Sequence, residues 1–382
     1  MDSDRGAGAR LTVDLDAIAA NWRTVRDTAI TAEAAAVLKA DAYGLGLAPV
    51  ARRLAAEGCR TFFTALASEG EALRRACPHA RILVLSPVVA LDAEVLERAA
   101  LVPCLPSIEE VDAWVARARD RGRPLPAALH AETGINRLGM AADAVHAVAT
   151  DPSRRAHLEL VLVMSHLASA DAPADPASHR QRERFDAVRA MLPGVAASLA
   201  NSAGVFLGAD YHYQLVRPGI CLYGHDPHVH LRDPRVRPVA HLHATLAQVK
   251  TVAAGEGIGY GATHVCAAPT RIGVVLAGYA DGVRRSLSWP GAGPRYVAAV
   301  GGHPAPILGR VSMDMITLDL GAVPTTVAVP GAMVELIGPA VPIETMAGCA
   351  GTIPYEVLTG ISPRVRRAYL PTAEGRAPGD TR

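Results

Sequence analysis

The chain has 382 residues, with 38 basic against 37 acidic side chains and a formal charge of +1. So even a balance leaves no basic face for nucleic acid or anionic lipid. Half of the residues are hydrophobic and 20% are charged, which excludes a disordered chain and supports two domains, or one large barrel with an appendage.

Within the 38 basic residues only two, Lys39 and Lys250, are lysine, which leaves 36 arginines. Codon usage in a GC-rich genome explains such a bias. A site that needs a neutral amine still has only two candidates here, because a guanidinium stays protonated. The first ten residues, MDSDRGAGAR, lack the apolar core of a secretory signal, and no run reaches 18 apolar residues without Pro, Gly or charge. Six cysteines (Cys59, Cys77, Cys104, Cys221, Cys266, Cys349) are scattered without a CxxC pair. Together these features predict a cytoplasmic protein with free thiols and neither a disulfide framework nor a zinc site.

The opening LTVDLDAIAANWRTVRD reads as a strand and then a helix. Between about residues 34 and 224 follow eight apolar runs: AAAVLKA, TFFTALA, RILVLSP, LVPCLP, AALHAET, LELVLVMSHL, VAASLANS and YQLVRPGICLYG. Most are separated by amphipathic stretches such as PVARRLAAEG, SEGEALRRAC and SIEEVDAWVARARD, whose apolar residues recur at three- and four-residue spacing. The seventh link, GVFLGADYH, is short, and its helix is the least marked of the set. Eight β–α units predict a (β/α)8 TIM-type barrel with parallel strands. After about residue 235 the pattern becomes strand-like with Gly/Pro turns, in HATLAQVKTV, TRIGVVLAGYA, PRYVAAVGG, HPAPILGRVSM, MITLDL and MVELIG. Only VPIETMAGCA and IPYEVLTGIS look helical there, and the tail TAEGRAPGDTR reads as a frayed end. The expected organisation is therefore an N-terminal strand (1–11) joining a mostly β C-terminal domain (236–382), with the barrel at 12–235.

Catalytic groups of such barrels sit at the C-terminal ends of the strands. That rule selects Lys39, Arg137, His166, Asn201, Ser202 and Arg217. A lysine at an apolar strand end is partly desolvated, which lowers its pKa and suits Schiff-base chemistry. The same position also suits a lysine that only solvates the barrel rim. His228-x-His230 and His241-x-His243 resemble metal pairs but lack further ligands at zinc spacing. GEGIGYG neither follows an early strand nor opens a helix, so it is no dinucleotide fingerprint.

Nine motifs occur in order along the whole chain: AVLKADAYGLG, ETGINRLGM, VMSHLASAD, LANSAG, VRPGICLYG, GIGYG, GYADG, GRVSMDM and GTIPYEVLTGISPRV. The set resembles the bacterial alanine racemases, a family that uses pyridoxal 5'-phosphate. The resemblance implies a barrel followed by a β domain, and racemisation of alanine through two bases. Lys39 matches the lysine that carries the cofactor as an imine and takes the proton of the D-enantiomer. Tyr260 matches the tyrosine that takes the proton of the L-enantiomer on the opposite face. By the same match Tyr43, Ser202, Tyr355 and the N–H groups of Gly219 and Ile220 hold the phosphate. Arg217 faces the pyridine nitrogen and leaves it unprotonated, which weakens the electron sink and disfavours transamination. His166 hydrogen-bonds the tyrosine, whose reference pKa near ~10 demands such help, and links it to Arg217. Arg137 and the backbone of Met313 hold the substrate carboxylate, Tyr279 and Asp314 line the approach, and Arg310 pairs with a nearby carboxylate. Tyr260 is expected to reach the barrel of another subunit, so the working unit is a homodimer with composite sites.

One departure touches the centre of that pattern. The family reads K-V-D-T-G where this chain has His130-Ala131-Glu132-Thr133-Gly134. The missing lysine is often carbamylated and orients the arginine. Histidine supplies no such anion, so Arg137 needs another partner, Glu132 or a bound chloride. A looser grip on the substrate carboxylate is the expected consequence. Val283 stands after GYADG where an aromatic residue is common, which leaves substrate breadth open. Alternatives are a racemase for serine or a broader amino-acid set, a decarboxylase of the same architecture, and a cofactor-binding protein without catalysis. Decarboxylases place a carboxylate where this chain has Arg217, and the small binding proteins lack the β domain that carries Tyr260.

Overall fold

The computed structural model describes residues 8–228, 235–288 and 295–371. It divides into two compact units: Asp16–Arg237, and the N-terminal segment together with residues from Pro238 onward. The opening strand β1 (Ala9–Asp14) runs three residues further than the expected limit at 11, and its helix follows at Leu15–Thr28.

The first unit is built from β2 (Glu33–Ala34), β3 (Ala36–Val37), β4 (Thr61–Thr64), β5 (Arg81–Val84), β6 (Val102–Leu105), β7 (Leu125–His130), β8 (Leu158–Met164), β9 (Ala197–Ser198) and β10 (Leu215–Val216). Strands β3 to β9 pair in chain order, all parallel. The ring closes where β10 pairs with β2 and the Val37 N–H donates to Pro218 O at 2.9 Å, while the Arg217 N–H donates to Ala200 O at 2.9 Å. Residues 33–37 thus act as one strand, and the count is eight, as the alternation predicts.

Local chemistry explains the outer helices. Helix Leu47–Glu57 buries Leu47, Val50, Ala51 and Leu54, one face at 3.6-residue spacing. Helix Ile108–Asp120 starts at Ser107, whose hydroxyl accepts the Glu110 N–H, and buries Val111, Trp114, Val115 and Ala118. All four residues of β4 and of β6 are buried, as strands sandwiched between a barrel core and helices must be. Truncating Leu54, fully buried, to alanine costs about 2–5 kcal/mol. The seventh link is only the turn Ser202–Val205 and a 3-10 turn at Ala209–Tyr211.

The second unit centres on β11 (Ala240–Val252). Further strands are β12 (Gly257–Ile258), β13 (His264–Val265), β14 (Thr270–Val275), β15 (Val297–Val300), β16 (His303–Pro306), β17 (Ile316–Asp319), β18 (Met333–Ile337) and β19 (Arg366–Leu370). The sheet order is β16-β15-β18-β11-β1-β19, and β14 joins β11 to β17. A register shift between Leu246 and Gln248 bends β11, so its first half pairs with β1 and β18 and its second with β14. The N-terminal strand therefore belongs to the β domain, as expected. Strand β19 is not visible in the sequence pattern, yet it pairs in parallel with β1 from Arg10↔Arg366 onward. HPAPILGRVSM, expected as one strand, forms β16 alone, and its remainder is an irregular loop that carries candidate site residues. The two expected helices are present at Ile343–Ala350 and Pro354–Thr359. The tail TAEGRAPGDTR and His230 lie outside the described residues. All six cysteines are free thiols, five of them buried. Among the described residues no helix is long and apolar enough to cross a membrane, and no three His, Cys, Asp or Glu side chains cluster to hold a metal.

Candidate active site

Lys39 follows β3 and opens a turn of rare handedness. Ala40, Asp41, Ala42 and Tyr43 all have φ between 53° and 57°, so four successive non-glycine residues wind as left-handed helix. Each such residue costs about 1–2 kcal/mol. The turn persists because carboxylates hold its ends: Glu69 Oε1 accepts the Ala40 N–H and Asp41 Oδ1 accepts the Leu47 N–H, both at 2.7 Å. The other Glu69 oxygen takes the N–H groups of Ala65 and Leu66 at 2.8 and 3.1 Å, which ties the turn to the loop after β4.

Around Lys39 gather Arg137 after β7, His166 after β8 and Arg217 after β10. Burial lowers the Lys39 pKa, and the charges of Arg137 and Arg217 lower it further. Arg217 is buried, and its pKa is pushed down to about 10 by desolvation. Its guanidinium donates to Ser198 Oγ and Ser165 O, both at 2.5 Å, and to Leu199 O at 3.4 Å, with no carboxylate partner among the described residues. His166 is held well below the usual imidazole value by burial and then by Arg217 and Arg137, so its ring is neutral. The expected His166–Arg217 hydrogen bond is not among the described contacts; charge is what couples the two. His130, 4% exposed, lies in the same field, and burial, Arg217 and Arg137 push it to about 4.

Glu132 does not form an ion pair with Arg137 among the described residues. Its Oε1 instead accepts the backbone N–H groups of Gly134 and, at 2.8 Å, Ile135. Thr133 Oγ1 and Ser165 Oγ lie 2.7 Å apart, joining this loop to the turn before His166. Gln181, 3% exposed, fixes that turn from a neighbouring helix by donating to His166 O at 2.9 Å and accepting the Ala168 N–H at 2.8 Å.

A cradle of small groups adjoins Lys39. Ser202 Oγ accepts the N–H groups of Gly219 and Cys221 at 2.8 and 3.3 Å. Ile220, between them, opens a 3-10 turn. The Tyr43 ring packs 4.6 Å from that of Tyr223, and its hydroxyl lies so close to Gly219 that any Cβ there would overlap it. Glycine is required at 219 by close approach.

In the second unit, the remaining predicted residues share one ridge of loops. Tyr260 stands 71% exposed on a 3-10 turn, with Gly261 against the Arg310 guanidinium. No carboxylate pairs with Arg310 among the described residues, contrary to expectation. The N–H groups of Tyr279 and Ala280 donate to Ser312 O and Met313 O, each at 3.0 Å, so Tyr279 and Met313 lie together. Asp314 accepts from Arg364 at 2.7 Å, and the same arginine grips buried Asp281 through two bonds. Asp314 is thus part of an ion-pair network rather than a bare lining group. Tyr355 projects from helix Pro354–Thr359, which Arg284 ties to the GYADG loop through Glu356 at 2.7 Å. Tyr260, Tyr279, Met313, Met315, Ile353 and Tyr355 are all exposed.

Sequence reasoning missed Glu69, Gln181 and Ser198, and gave Glu132 a different partner. Glu69, Gln181 and Glu132 bind backbone groups, an interaction with no sequence spacing of its own.

Residues 13–227 match the family described as alanine racemase, N-terminal domain, and residues 239–369 match alanine racemase, C-terminal domain. The biosynthetic alanine racemase of Agrobacterium fabrum is 42% identical over 375 residues, spanning 97% of this chain and 95% of that protein. An alanine racemase of a Methylobacterium species is 45% identical over 363 residues, or 95% of this chain and 98% of its own. Among solved structures, alanine racemase from Bartonella henselae with covalently bound pyridoxal phosphate superposes with a TM-score of 0.90 at 33% identity, over 96% of this chain and 100% of that one. The Streptomyces coelicolor enzyme gives 0.89 at 34% identity, over 97% and 100%. Both units match, at full length and in one order, and on that ground the chain belongs to the alanine racemase family.

Proposed function

We propose that this protein is a cytoplasmic, homodimeric racemase that interconverts L- and D-alanine with pyridoxal 5'-phosphate and supplies D-alanine for peptidoglycan. The carrying observation is the convergence of Lys39, Arg137, His166 and Arg217, while the two nearby carboxylates, Glu69 and Glu132, are turned onto backbone amides. That cationic cup fits a phosphate-bearing aldehyde. Ser202 Oγ accepts two amides, so its own proton remains for an anion, and Tyr43 offers its hydroxyl beside Gly219. Lys39, Tyr43, His166, Ser202, Arg217, Gly219, Ile220 and Tyr355 would hold the cofactor.

Pyridoxal phosphate, when bound, supplies an electron-withdrawing ring that acidifies the substrate Cα–H bond. Lys39, its pKa lowered by burial and by two arginines, presents an Nζ that sheds its proton readily and serves as nucleophile and then as base. Tyr260 Oη handles the proton on the opposite face. Arg137, with the Met313 backbone, fixes the substrate carboxylate and so the direction of the Cα–H bond. Tyr279 and Asp314 border the approach. Arg217 keeps its charge at neutral pH and offers only N–H donors, which supports an unprotonated ring nitrogen. Neutral His166 is available to hydrogen-bond Tyr260.

The exposed ridge bearing Tyr260, Tyr279, Met313 and Tyr355 supports a dimer in which it meets a partner's barrel. Six free thiols suit the cytoplasm.

A chiral assay of purified protein with pyridoxal phosphate and L-alanine tests the activity, with L-serine as the comparison. Absence of D-alanine would refute it. Mixing Lys39→Ala and Tyr260→Phe variants tests the composite site: random heterodimers regain roughly a quarter of native activity if sites span subunits, and none if each chain is self-sufficient. Rescue of a racemase-deficient bacterium without added D-alanine tests the biosynthetic role.

A further inference from the structure

Arg137 projects from a short loop, exposed to solvent and in no ion pair among the described residues. Something must nevertheless aim it, since a long free side chain surrenders much rotamer entropy on gripping a carboxylate. The loop leaves β7 at His130 and returns through hydrogen bonds from Met140 N–H to His130 O and from Glu132 N–H to Met140 O, each 2.8 Å. Gly139, at φ +129°, lies so close that a Cβ would stand 2.7 Å from Glu132 N. The neck is therefore tight and the tip short.

Glu132 fills that tip. Its Oε1 accepts the N–H groups of Gly134 and Ile135, and the amides of Asn136 and Arg137 also act on the carboxylate. Burial alone would raise its pKa, yet these four backbone groups hold it below the ordinary carboxylate value, so it is charged across the neutral range. Two successive amides bound to one anion stiffen the tip, because each charge-assisted bond is about twice as strong as a neutral one. Asn136 stands in the left-handed region at φ +53°, a conformation that asparagine visits more readily than most residues.

We propose that Glu132 is the positioning residue for Arg137: by holding the amides of Gly134 and Ile135, with its charge beside those of Asn136 and Arg137, it aims the guanidinium through the backbone, where no carboxylate pairs with the side chain among the described residues. The assignment rests on the reading of Arg137 as the holder of the substrate carboxylate. Of the two partners expected for the arginine, Glu132 or a bound chloride, Glu132 forms no direct ion pair with it among the described residues.

The test uses the holoenzyme and the variants Glu132→Gln, Glu132→Asp and Arg137→Ala. Glu132→Gln keeps the shape and removes the charge. It should raise KM for L-alanine at least about tenfold, the effect of one lost charge-assisted bond, while kcat changes less than about threefold. Glu132→Asp should recover part of that loss. Hydrogen exchange at the amides of residues 134–137 should quicken about tenfold in Glu132→Gln, with exchange in β7 and β8 unchanged. Unchanged KM in Glu132→Gln, alongside a raised KM in Arg137→Ala, overturns the proposal. So does a loss confined to kcat, or slow exchange retained at these amides. An unchanged KM in Arg137→Ala would instead remove the role assigned to Arg137, and the proposal would fall with it.

Discussion

Glu69 Oε1 accepts the N–H of Ala40 at 2.7 Å, so a carboxylate from the following β–α unit fixes the residue beside Lys39. The left-handed turn of residues 40–43 stores several kcal/mol of backbone strain, and this bond is one of two that hold its ends.

Replacing Glu69 by glutamine should relax that turn. Three amides lose a charged acceptor, each worth about 1.5–3 kcal/mol. The expected result is weaker cofactor retention by at least about tenfold and a lower melting temperature. Titration of the apoprotein with pyridoxal phosphate, followed by visible absorbance, measures the first. Wild-type affinity in Glu69→Gln would show that the turn holds without this carboxylate.

Gly219→Ala tests the cradle. The new Cβ would occupy the space of the Tyr43 hydroxyl, and Tyr43 is pinned from behind by buried Tyr223. One group must move, at a cost of about 1–3 kcal/mol. Cofactor affinity should fall by one to two orders of magnitude, roughly the same free energy. Tyr43→Phe combined with Gly219→Ala should recover part of that loss, because the clash is with the hydroxyl. A double variant no better than the single one would place the damage elsewhere.

The barrel was legible because alternation and length together count to eight, and a barrel's strand ends then nominate Lys39, His166 and Arg217. Candidate site residues on the second unit could be named only through ordered motifs, since nothing in the local pattern of GIGYGATH distinguishes Tyr260 from an exposed loop tyrosine. The left-handed winding of KADAY has no signal in the local sequence, because a carboxylate that secures it, Glu69, lies 29 residues on from Ala40. Strand β19 escaped notice because RRAYL offers two arginines where an edge strand offers a period-two pattern. At the candidate site, Glu69 and Gln181 remained hidden because each is a side chain bound to backbone distant in sequence.

Stability should depend on pH through His130. Burial, then Arg217 and Arg137, hold its folded pKa at about 4, against 6.5 when unfolded. Below pH 6.5 the unfolded chain gains a proton that the native ring refuses. The neutral ring's contribution is thus full above 6.5 and is lost progressively as pH falls toward 4, for a total of about 3 kcal/mol. His166, shifted in the same direction, adds to the slope. Urea unfolding from about pH 7.5 to about pH 4.5 should show the decline, and His130→Gln should flatten it. Identical slopes in the two proteins would exclude His130 as a source.

The two lysines give the sharpest contrast. Lys39 lies among Arg137, Arg217 and buried strand ends, and its pKa is lowered, chiefly by burial. Lys250 sits in β11 opposite Ile272, in the other unit. Lys39→Arg keeps a cation in place but cannot offer a neutral amine. It should abolish borohydride-stable attachment of pyridoxal phosphate and lower racemisation by at least about a thousandfold. Lys250→Arg should leave both unchanged. Stable attachment in Lys39→Arg but not in Lys250→Arg would move the chemistry to Lys250, and with it out of the barrel.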